Sequence, residues 1–216
     1  MPLNTIGEVV NCELEGRVKD YIWRKTPSQT TITGLWFDLS MSPGMPPPQY
    51  YIGGILTATQ LKQSTDGGFY YGTNVSPSER YLRKITTQAN VTTALPMNAI
   101  LCDYLLFYPF IDEGTTDQQD MININTLPRY TDGKGVQVMC VQTNAGTGGQ
   151  SFFFTYTNSD GVSGRTSRTV TMNTSTTVGN IVGSSTATQG GASPFIGLQA
   201  GDSGVRSIES VTMLGI

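Results

Sequence analysis

Residues 150–172, QSFFFTYTNSDGVSGRTSRTVTM, constrain the fold more than any other stretch of the chain. An aromatic and threonine-rich run comes first, N-S-D-G follows, and a second threonine-rich run comes after it. Aromatic and β-branched residues favour strands, whereas clusters of Asn, Ser, Asp and Gly favour turns. The pattern therefore predicts a strand–turn–strand unit whose loop is longer than the two-residue minimum.

The composition extends this prediction to the whole chain. The 216 residues include 30 threonines and 25 glycines. Only 13% are charged, about half of the usual ~25%. This composition favours an all-β fold with long loops and at most one or two short helices. We expect a single domain over residues 1–216, with an N-terminal arm over 1–20 and without internal repeats.

The first 40 residues predict three short strands. They lie within GEVVNCELEGRV (7–18), DYIWRK (20–25) and TITGLWFDLS (31–40). In the third segment, Leu35, Phe37 and Leu39 alternate with Trp36 and Asp38, so one face should point into the core.

The middle of the chain predicts a turn, an aromatic strand and a central apolar element. A D-G-G turn at 66–68 precedes the aromatic residues 69–71. Next comes either a short helix that begins at Ser76-Pro77 or a strand through RYLRKITT, residues 80–87. AILCDYLLFYPFI, residues 99–111, is the most apolar stretch. We expect it at the centre of the fold, as a helix or as a strand buried on both faces.

The C-terminal half predicts further strands. YTDGKGVQVMCVQT (130–143) has the pattern of a turn followed by a strand, and GVRSIESVTMLGI (204–216) that of a strand with imperfect alternation. Residues 169–201 contain no charged side chain, which is unusual for a solvated surface. Such a segment is either disordered or covered by another subunit, because interface cores are depleted of charge.

The tetrapeptide Gly201-Asp202-Ser203-Gly204 resembles the surroundings of the nucleophilic serine in chymotrypsin-like proteases. A serine needs an adjacent base to become a nucleophile, and the base in that template is histidine. The chain contains no histidine, and Val205 stands where the protease has a further glycine. We therefore predict a turn in which Asp202 caps its own backbone and Gly204 adopts a positive φ, and no enzyme activity.

Several kinds of ligand are disfavoured by the sequence. The three cysteines, Cys12, Cys102 and Cys140, lie far apart, so we expect free thiols and no zinc site, with Cys102 and Cys140 buried. Four acids at residues 112–120 lack the calcium-loop pattern, and a solvated loop is the simpler interpretation. A net charge of −3, with no lysine and arginine cluster beyond RTSR (165–168) and ERYLRK (79–84), disfavours nucleic acid. No signal peptide or membrane span is evident, and we expect no cofactor.

The segment MSPGMPPPQYY, residues 41–51, is the best candidate for a partner contact. Three consecutive prolines cannot donate to a sheet and favour an extended polyproline conformation. A stiff surface loop and an aromatic–proline contact arm both fit this pattern. The candidate interface residues are Pro46, Pro47, Pro48, Tyr50 and Tyr51.

Stretches spread over most of the chain resemble a family of virion proteins of tailed bacteriophages, found mainly in environmental phages. The resemblance is carried by TGLWFDLSMSPGMPPPQYY, GTNVSPSERYLRKI, LCDYLLFYPFIDEGTTDQQ, LPRYTDGKGVQV, FTYTNSDGVSGRTS and FIGLQAGDSGVRSIESVT. These are strings of turn and strand residues, not catalytic motifs. The resemblance implies a structural component of the phage particle, in the head, neck or tail.

From the resemblance and the composition together we predict a capsid decoration, or cement, protein. It would be an antiparallel β-sandwich of jelly-roll type, assemble in the host cytoplasm, and bind the major capsid protein or other virion subunits. A dimer or trimer is expected, because symmetric shells favour oligomeric modules. The alternatives are a neck, tail or fibre-base component, and a carbohydrate-binding module that uses exposed aromatic rings. The candidate rings are those of Trp23, Trp36, Tyr50, Tyr51, Tyr70 and Tyr71.

Overall fold

The structure is a computed structural model that describes residues 5–27, 35–62, 65–72, 80–90, 98–146, 148–172, 177–182 and 193–215. Within these ranges the chain forms short strands, one α-helix, α1 (Ile6–Leu14), and one 3-10 helix (Leu39–Met41). The strands are β1 (Arg24–Lys25), β2 (Gly44–Met45), β3 (Thr59–Gln60), β4 (Leu106–Phe107), β5 (Gln119–Asp120), β6 (Cys140–Val141), β7 (Ser151–Asn158), β8 (Arg165–Thr166), β9 (Val170–Thr171), β10 (Ile181–Val182) and β11 (Val205–Met213). The fold is all-β with antiparallel sheets, as the composition predicted.

The main sheet is built on the two longest strands, β7 and β11. Its order is β5-β11-β7-β8, and β9 also pairs with β7. The unit predicted from residues 150–172 is confirmed: β7 turns back into β8, with Thr155 opposite Thr166 and Tyr156 opposite Arg165. Three further two-stranded sheets pair β1 with β2, β3 with β4, and β6 with β10.

Strand β11 is confirmed, and its geometry explains its imperfect alternation. The pairing with β7 shifts register between Val205 and Ser207, and again between Ile208 and Ser210. Each irregularity changes the face to which the following side chains point. Buried residues are therefore unevenly spaced, and Ser210 and Val211 are both buried although they are adjacent.

The hydrophobic core lies under β7 and β11. Alternate residues of β7 point inwards, and Phe154 and Tyr156 are almost completely inaccessible, with ring centroids 5.4 Å apart. Every member of the buried cluster comes from residue 121 onwards: Met121, Phe152, Phe154, Tyr156, Val170, Met172, Val182, Ile196, Val205, Val211 and Met213. The first half of the chain therefore contributes little to this core.

The strand predicted within residues 7–18 is wrong, because most of this segment is helix α1. Thr5 caps the helix: its Oγ1 accepts from the Glu8 backbone N–H, and the Glu8 carboxylate accepts from the Thr5 N–H. Gly16 ends it with φ 66° while Arg17 N–H donates to the Cys12 carbonyl, a Schellman arrangement. The T-x-x-E sequence at residues 5–8 was the signal for this helix.

Three other predicted strands are shorter than expected or absent from the described residues. In 20–25 only β1 forms, and residues 35–40 contain a single bridge at Phe37 followed by the 3-10 helix. The side chain of Asp38, not its apolar neighbours, is the buried one, because it caps that helix through the Ser40 N–H. The aromatic residues 69–71 form no strand, although the turn before them is present.

The predicted strand through residues 80–87 is also wrong, since these residues are exposed and have no regular structure. The alternative helix start at Ser76-Pro77 lies outside the described residues. The expectation for residues 99–111 fails as well. They supply only the two-residue strand β4, and Ile100 and Leu101 are exposed. The aromatic residues of β7 occupy the centre of the core instead.

The turn predicted at the start of residues 130–143 is present, but the strand after it is reduced to β6. The uncharged segment 169–201 contains β9 and β10, in which Val170, Ile181 and Val182 are buried. These parts of the segment belong to the protein's own sheets. Residues 173–176 and 183–192 lie outside the described residues.

Candidate functional site

The turn at residues 199–204 is organised around the carboxylate of Asp202. Arg165 binds it through two N–H groups, Nε to Oδ2 at 3.0 Å and Nη2 to Oδ1 at 3.1 Å. The Tyr156 hydroxyl donates to Oδ2 at 2.5 Å and the Asn158 amide donates to Oδ1 at 2.8 Å. The Asp202 side chain is 3% exposed. The predicted self-cap is therefore wrong, because Asp202 faces β7 and β8 and not its own backbone.

These contacts shift the pKa values of both Asp202 and Tyr156. The hydrogen bonds from Arg165, then from Tyr156, lower the pKa of Asp202 to about 2. Burial, followed by the hydrogen bond to Asp202, raises the pKa of Tyr156 to about 12. Asp202 is thus ionised, and Tyr156 neutral, throughout the ordinary pH range. The cluster therefore holds the turn at residues 199–204 against strands β7 and β8, and we call it the Asp202 lock.

We expect Asp202→Asn to lower the melting temperature at pH 7, because the Arg165 guanidinium loses its charged partner. The folded-state pKa of Asp202 lies below its ordinary value of 3.8, so its stabilisation is complete above about pH 4 and is lost as pH falls towards 2. The difference in melting temperature between wild type and Asp202→Asn, measured by thermal melts, should therefore shrink as pH falls from 4 to 2. A difference that is constant over this range would contradict the Asp202 lock.

Ser203 contacts another hydroxyl, not a base. Its Oγ lies 2.9 Å from Oγ of Ser159, and either atom can be the donor. The positive φ of this turn belongs to Gly201 at 93°, and not to Gly204 as predicted. A Cβ on Gly204 would overlap the carbonyl oxygen of Gly133 and stand 2.7 Å from the Gly135 nitrogen. The glycine is thus required for a close approach of two backbones.

The proline-rich segment is held in place by Lys25. Strand β1 pairs with β2, and the three N–H groups of the Lys25 ammonium are shared among four carbonyl oxygens of residues 40–47. These are the carbonyls of Ser40, Ser42, Pro46 and Pro47, at 3.2, 3.1, 2.7 and 3.3 Å. Burial lowers the pKa of Lys25, and the negative charge of Asp38 partly opposes this. The segment is therefore a fixed loop on the surface.

A second polar cluster lies beneath this loop. The Tyr51 hydroxyl donates a hydrogen bond to the buried Asp38 carboxylate. Burial and the Asp38 charge both raise the pKa of Tyr51 and that of the neighbouring Tyr104. Both phenols therefore remain neutral donors. Tyr51 anchors the end of the proline-rich segment and does not present its ring to a partner.

The other candidate interface residues differ in exposure. Pro47 and Tyr50 are exposed, whereas Pro46 and Pro48 are half-buried. Of the aromatic rings considered for sugar binding, Tyr50, Tyr70 and Tyr71 are exposed. Trp23 is half-buried, stacks on Phe69 at 5.0 Å and donates to the Gly67 carbonyl. Only three of the six candidate rings, those of Tyr50, Tyr70 and Tyr71, are therefore exposed enough to stack on a sugar.

Helix α1 carries the feature that the sequence analysis missed. Ile6, Val10 and Leu14 are spaced at i, i+4 and i+8, so they form one apolar stripe. Ile6 is 85% exposed and Leu14 is 81% exposed, and no residue of the helix is buried. Isolated helices shorter than about 12 residues are marginal in water. A nine-residue helix with an uncovered apolar stripe needs a surface to pack against.

The described residues also include potential metal ligands and three cysteine thiols. Within them, no group of three His, Cys, Asp or Glu side chains is arranged to hold a metal ion. Cys12, Cys102 and Cys140 are free thiols of intermediate exposure, so Cys102 is more accessible than expected, whereas Cys140 packs against the main core. Burial, together with the Glu113 charge, raises the pKa of Cys140 to about 12, which disfavours a reactive thiolate.

Comparison of the chain with known family models, curated proteins and solved structures gives no match. In the described part of the chain, no helix is long and apolar enough to cross a membrane. Among the surfaces of the described residues, the exposed apolar stripe of α1 is the feature most typical of a partner contact.

Proposed function

We propose that this protein is a structural component of a phage particle, a decoration protein that binds the major capsid lattice. The observation that carries the proposal is the apolar stripe of α1. Amphipathic helices commonly bind partners by laying such a stripe in a groove, and positions i, i+4 and i+8 lie within one apolar face of a helix. A lattice protein offers the same groove many times, and binding it needs neither a nucleophile nor a metal.

The remainder of the molecule suits this role. The proline-rich loop is fixed by Lys25 and the C-terminal turn by Asp202, so neighbouring surfaces are ordered before binding. Preorganised surfaces lose less conformational entropy on association. The jelly-roll sandwich belongs to this proposal: the five-stranded sheet forms one layer, and the three small sheets contribute to the second. A reconstruction of the particle at side-chain resolution would test that arrangement.

Copy number in purified particles tests the location. Quantitative mass spectrometry should find hundreds of copies per particle if the protein decorates the capsid. A dozen copies or fewer would instead favour the neck, tail or fibre base. Absence of the protein from intact particles would overturn a structural role in the virion.

The α1 stripe is tested by co-sedimentation of the purified full chain with particles that lack it. Ile6→Glu with Leu14→Glu should reduce binding at least about tenfold, because it places two charges in the apolar contact. Ile124→Glu is the matched control, since Ile124 is also exposed but lies outside the helix. Equal loss for both variants, or for neither, would contradict docking through α1.

A carbohydrate-binding module is the second candidate. The exposed rings of Tyr50, Tyr70 and Tyr71 favour it, because sugars stack on accessible aromatic side chains. Binding of the purified protein to a glycan array, lost in Tyr50→Ala or Tyr70→Ala, would support this function over capsid binding.

A further inference from the structure

A groove of about 520 Å³ opens where the loop around residue 55 meets residues 110–119. Ile55, Leu56 and Phe110 form its apolar walls, and Asp112, Thr115 and Gln119 line the remainder. Ile55 is 70% exposed and Phe110 is 56% exposed, although both are large apolar side chains. Exposed apolar surface with a polar rim is typical of interaction sites.

The walls of the groove are rigid. The Leu56 N–H donates to the Pro109 carbonyl at 3.0 Å. The Gln119 side-chain amide accepts from the Asp112 N–H at 2.7 Å and donates to the Asp112 carbonyl at 2.8 Å. Leu56 and Phe110 both have left-handed backbones, with φ of 51° and 65°. Non-glycine residues keep such a conformation only where the surroundings enforce it, which is common at binding sites.

The polar lining of the groove comes from an acidic segment, residues 112–120, and the exposed carboxylates of this segment are taken together as the acidic rim. Asp112, Asp117 and Asp120 are exposed, and residues 85–128 contain no lysine or arginine. The ion pairs found among the described residues involve Glu13, Glu15, Asp103 and Asp202, and none of the three rim carboxylates. A segment that is both apolar and basic could therefore contact the apolar walls and pair with the carboxylates of the rim at the same time.

The chain itself contains such a segment at residues 80–85, RYLRKI. It has no regular secondary structure and is exposed throughout, with Leu82 68% exposed. Its two arginines make surface contacts with other described residues of the same chain. Arg80 lies over the Tyr71 ring, and Arg83 pairs with Glu13 at 2.8 Å between two exposed side chains. Exposed ion pairs of this kind contribute little and exchange easily.

We propose that residues 80–85 of one copy dock in this groove on a second copy of the chain. Leu82 and Ile85 contact the apolar walls, and Arg83 and Lys84 face the acidic rim. Reciprocal docking gives a dimer, and head-to-tail repetition gives a closed ring such as a trimer. The contact does not use the apolar stripe of α1 and requires no capsid, so it does not depend on the proposed function.

Sedimentation velocity of the purified full chain over a concentration series tests the apolar part of the contact. Leu82→Asp and Phe110→Ala should each weaken self-association at least about tenfold. Ile124→Ala alters an exposed apolar residue outside both surfaces and should leave self-association unchanged. A wild-type chain that stays monomeric at every concentration would overturn the proposal, as would variants that associate like wild type.

Charge reversal tests the pairing itself. Arg83→Glu with Lys84→Glu makes the segment acidic, and Asp117→Lys with Asp120→Lys makes the rim basic. Each double variant alone should lose self-association through like-charge repulsion, whereas an equimolar mixture of the two should recover it. All four residues are exposed, so circular dichroism should show both variants folded. If both variants are folded and their mixture does not associate, residues 80–85 do not pair with the acidic rim of a second copy.

Discussion

Gly204→Ala should destabilise the protein by about 3 kcal/mol or more, a large effect for a single added methyl group. The added Cβ would overlap the Gly133 carbonyl oxygen and stand 2.7 Å from the Gly135 nitrogen. These are backbone atoms of a tight turn that is bridged to Gly204, so they cannot rotate away as a side chain can. Either the 130–135 turn or the start of β11 must move.

Chemical denaturation of Gly204→Ala and Gly201→Ala separates this close approach from backbone conformation. Gly201 has φ 93° but open space around its Cβ position. Alanine there should destabilise by only about 1–2 kcal/mol, from the unfavourable φ alone. Equal effects at the two positions would show that the crossing of the two backbones is not as tight as described.

Phe154→Ala should destabilise the protein by about 3–5 kcal/mol. Phe154 is 1% exposed, and it points from the middle of β7 into the cluster that includes Tyr156 and Val211. Truncation removes the apolar contacts and leaves a cavity that the close-packed sheet cannot fill by relaxation. A loss of this size is a large part of the total stability of an ordinary domain.

Phe110→Ala is the matched control for this truncation. It removes the same atoms from a ring that is exposed in the groove, so the free energy of unfolding should change by about 0.5 kcal/mol or less. Urea titration followed by tryptophan fluorescence measures both variants. If Phe110→Ala destabilised as much as Phe154→Ala, the core would have to include residues 99–111, as the sequence analysis first expected.

The elements predicted best from the sequence are strands with alternating side chains that are joined to their partner strand by a short turn. The β7–β8 unit is local, with an aromatic and threonine-rich run before an Asn-Ser-Asp-Gly turn and a threonine-containing run after it, so few long-range contacts are needed to define it. Strand β11 was also predicted, but its two register shifts were not. Bulges depend on the partner strand, and the sequence of one strand does not contain that information.

Other predictions failed because the local sequence pattern of a segment does not determine its position in the fold or its distant contacts. Residues 99–111 are more apolar than β7, yet they lie at the margin, since hydrophobicity does not say which strands will be neighbours. The adjacent Val9 and Val10 favour a strand locally, but the capping box at Thr5 and Glu8 overrides this preference. The role of Asp202 could not be predicted, because its partners are 37 to 46 residues away.

The position of β11 has a consequence for biosynthesis. The strand that joins β5 to β7 is the last to be translated of all those in the main sheet. Until the ribosome has passed residue 213, β5 lacks its partner, and the Phe152, Phe154 and Tyr156 side chains lack Val205, Val211 and Met213. Nascent chains stalled earlier should therefore remain protease-sensitive and depend on chaperones, whatever has already emerged from the exit tunnel.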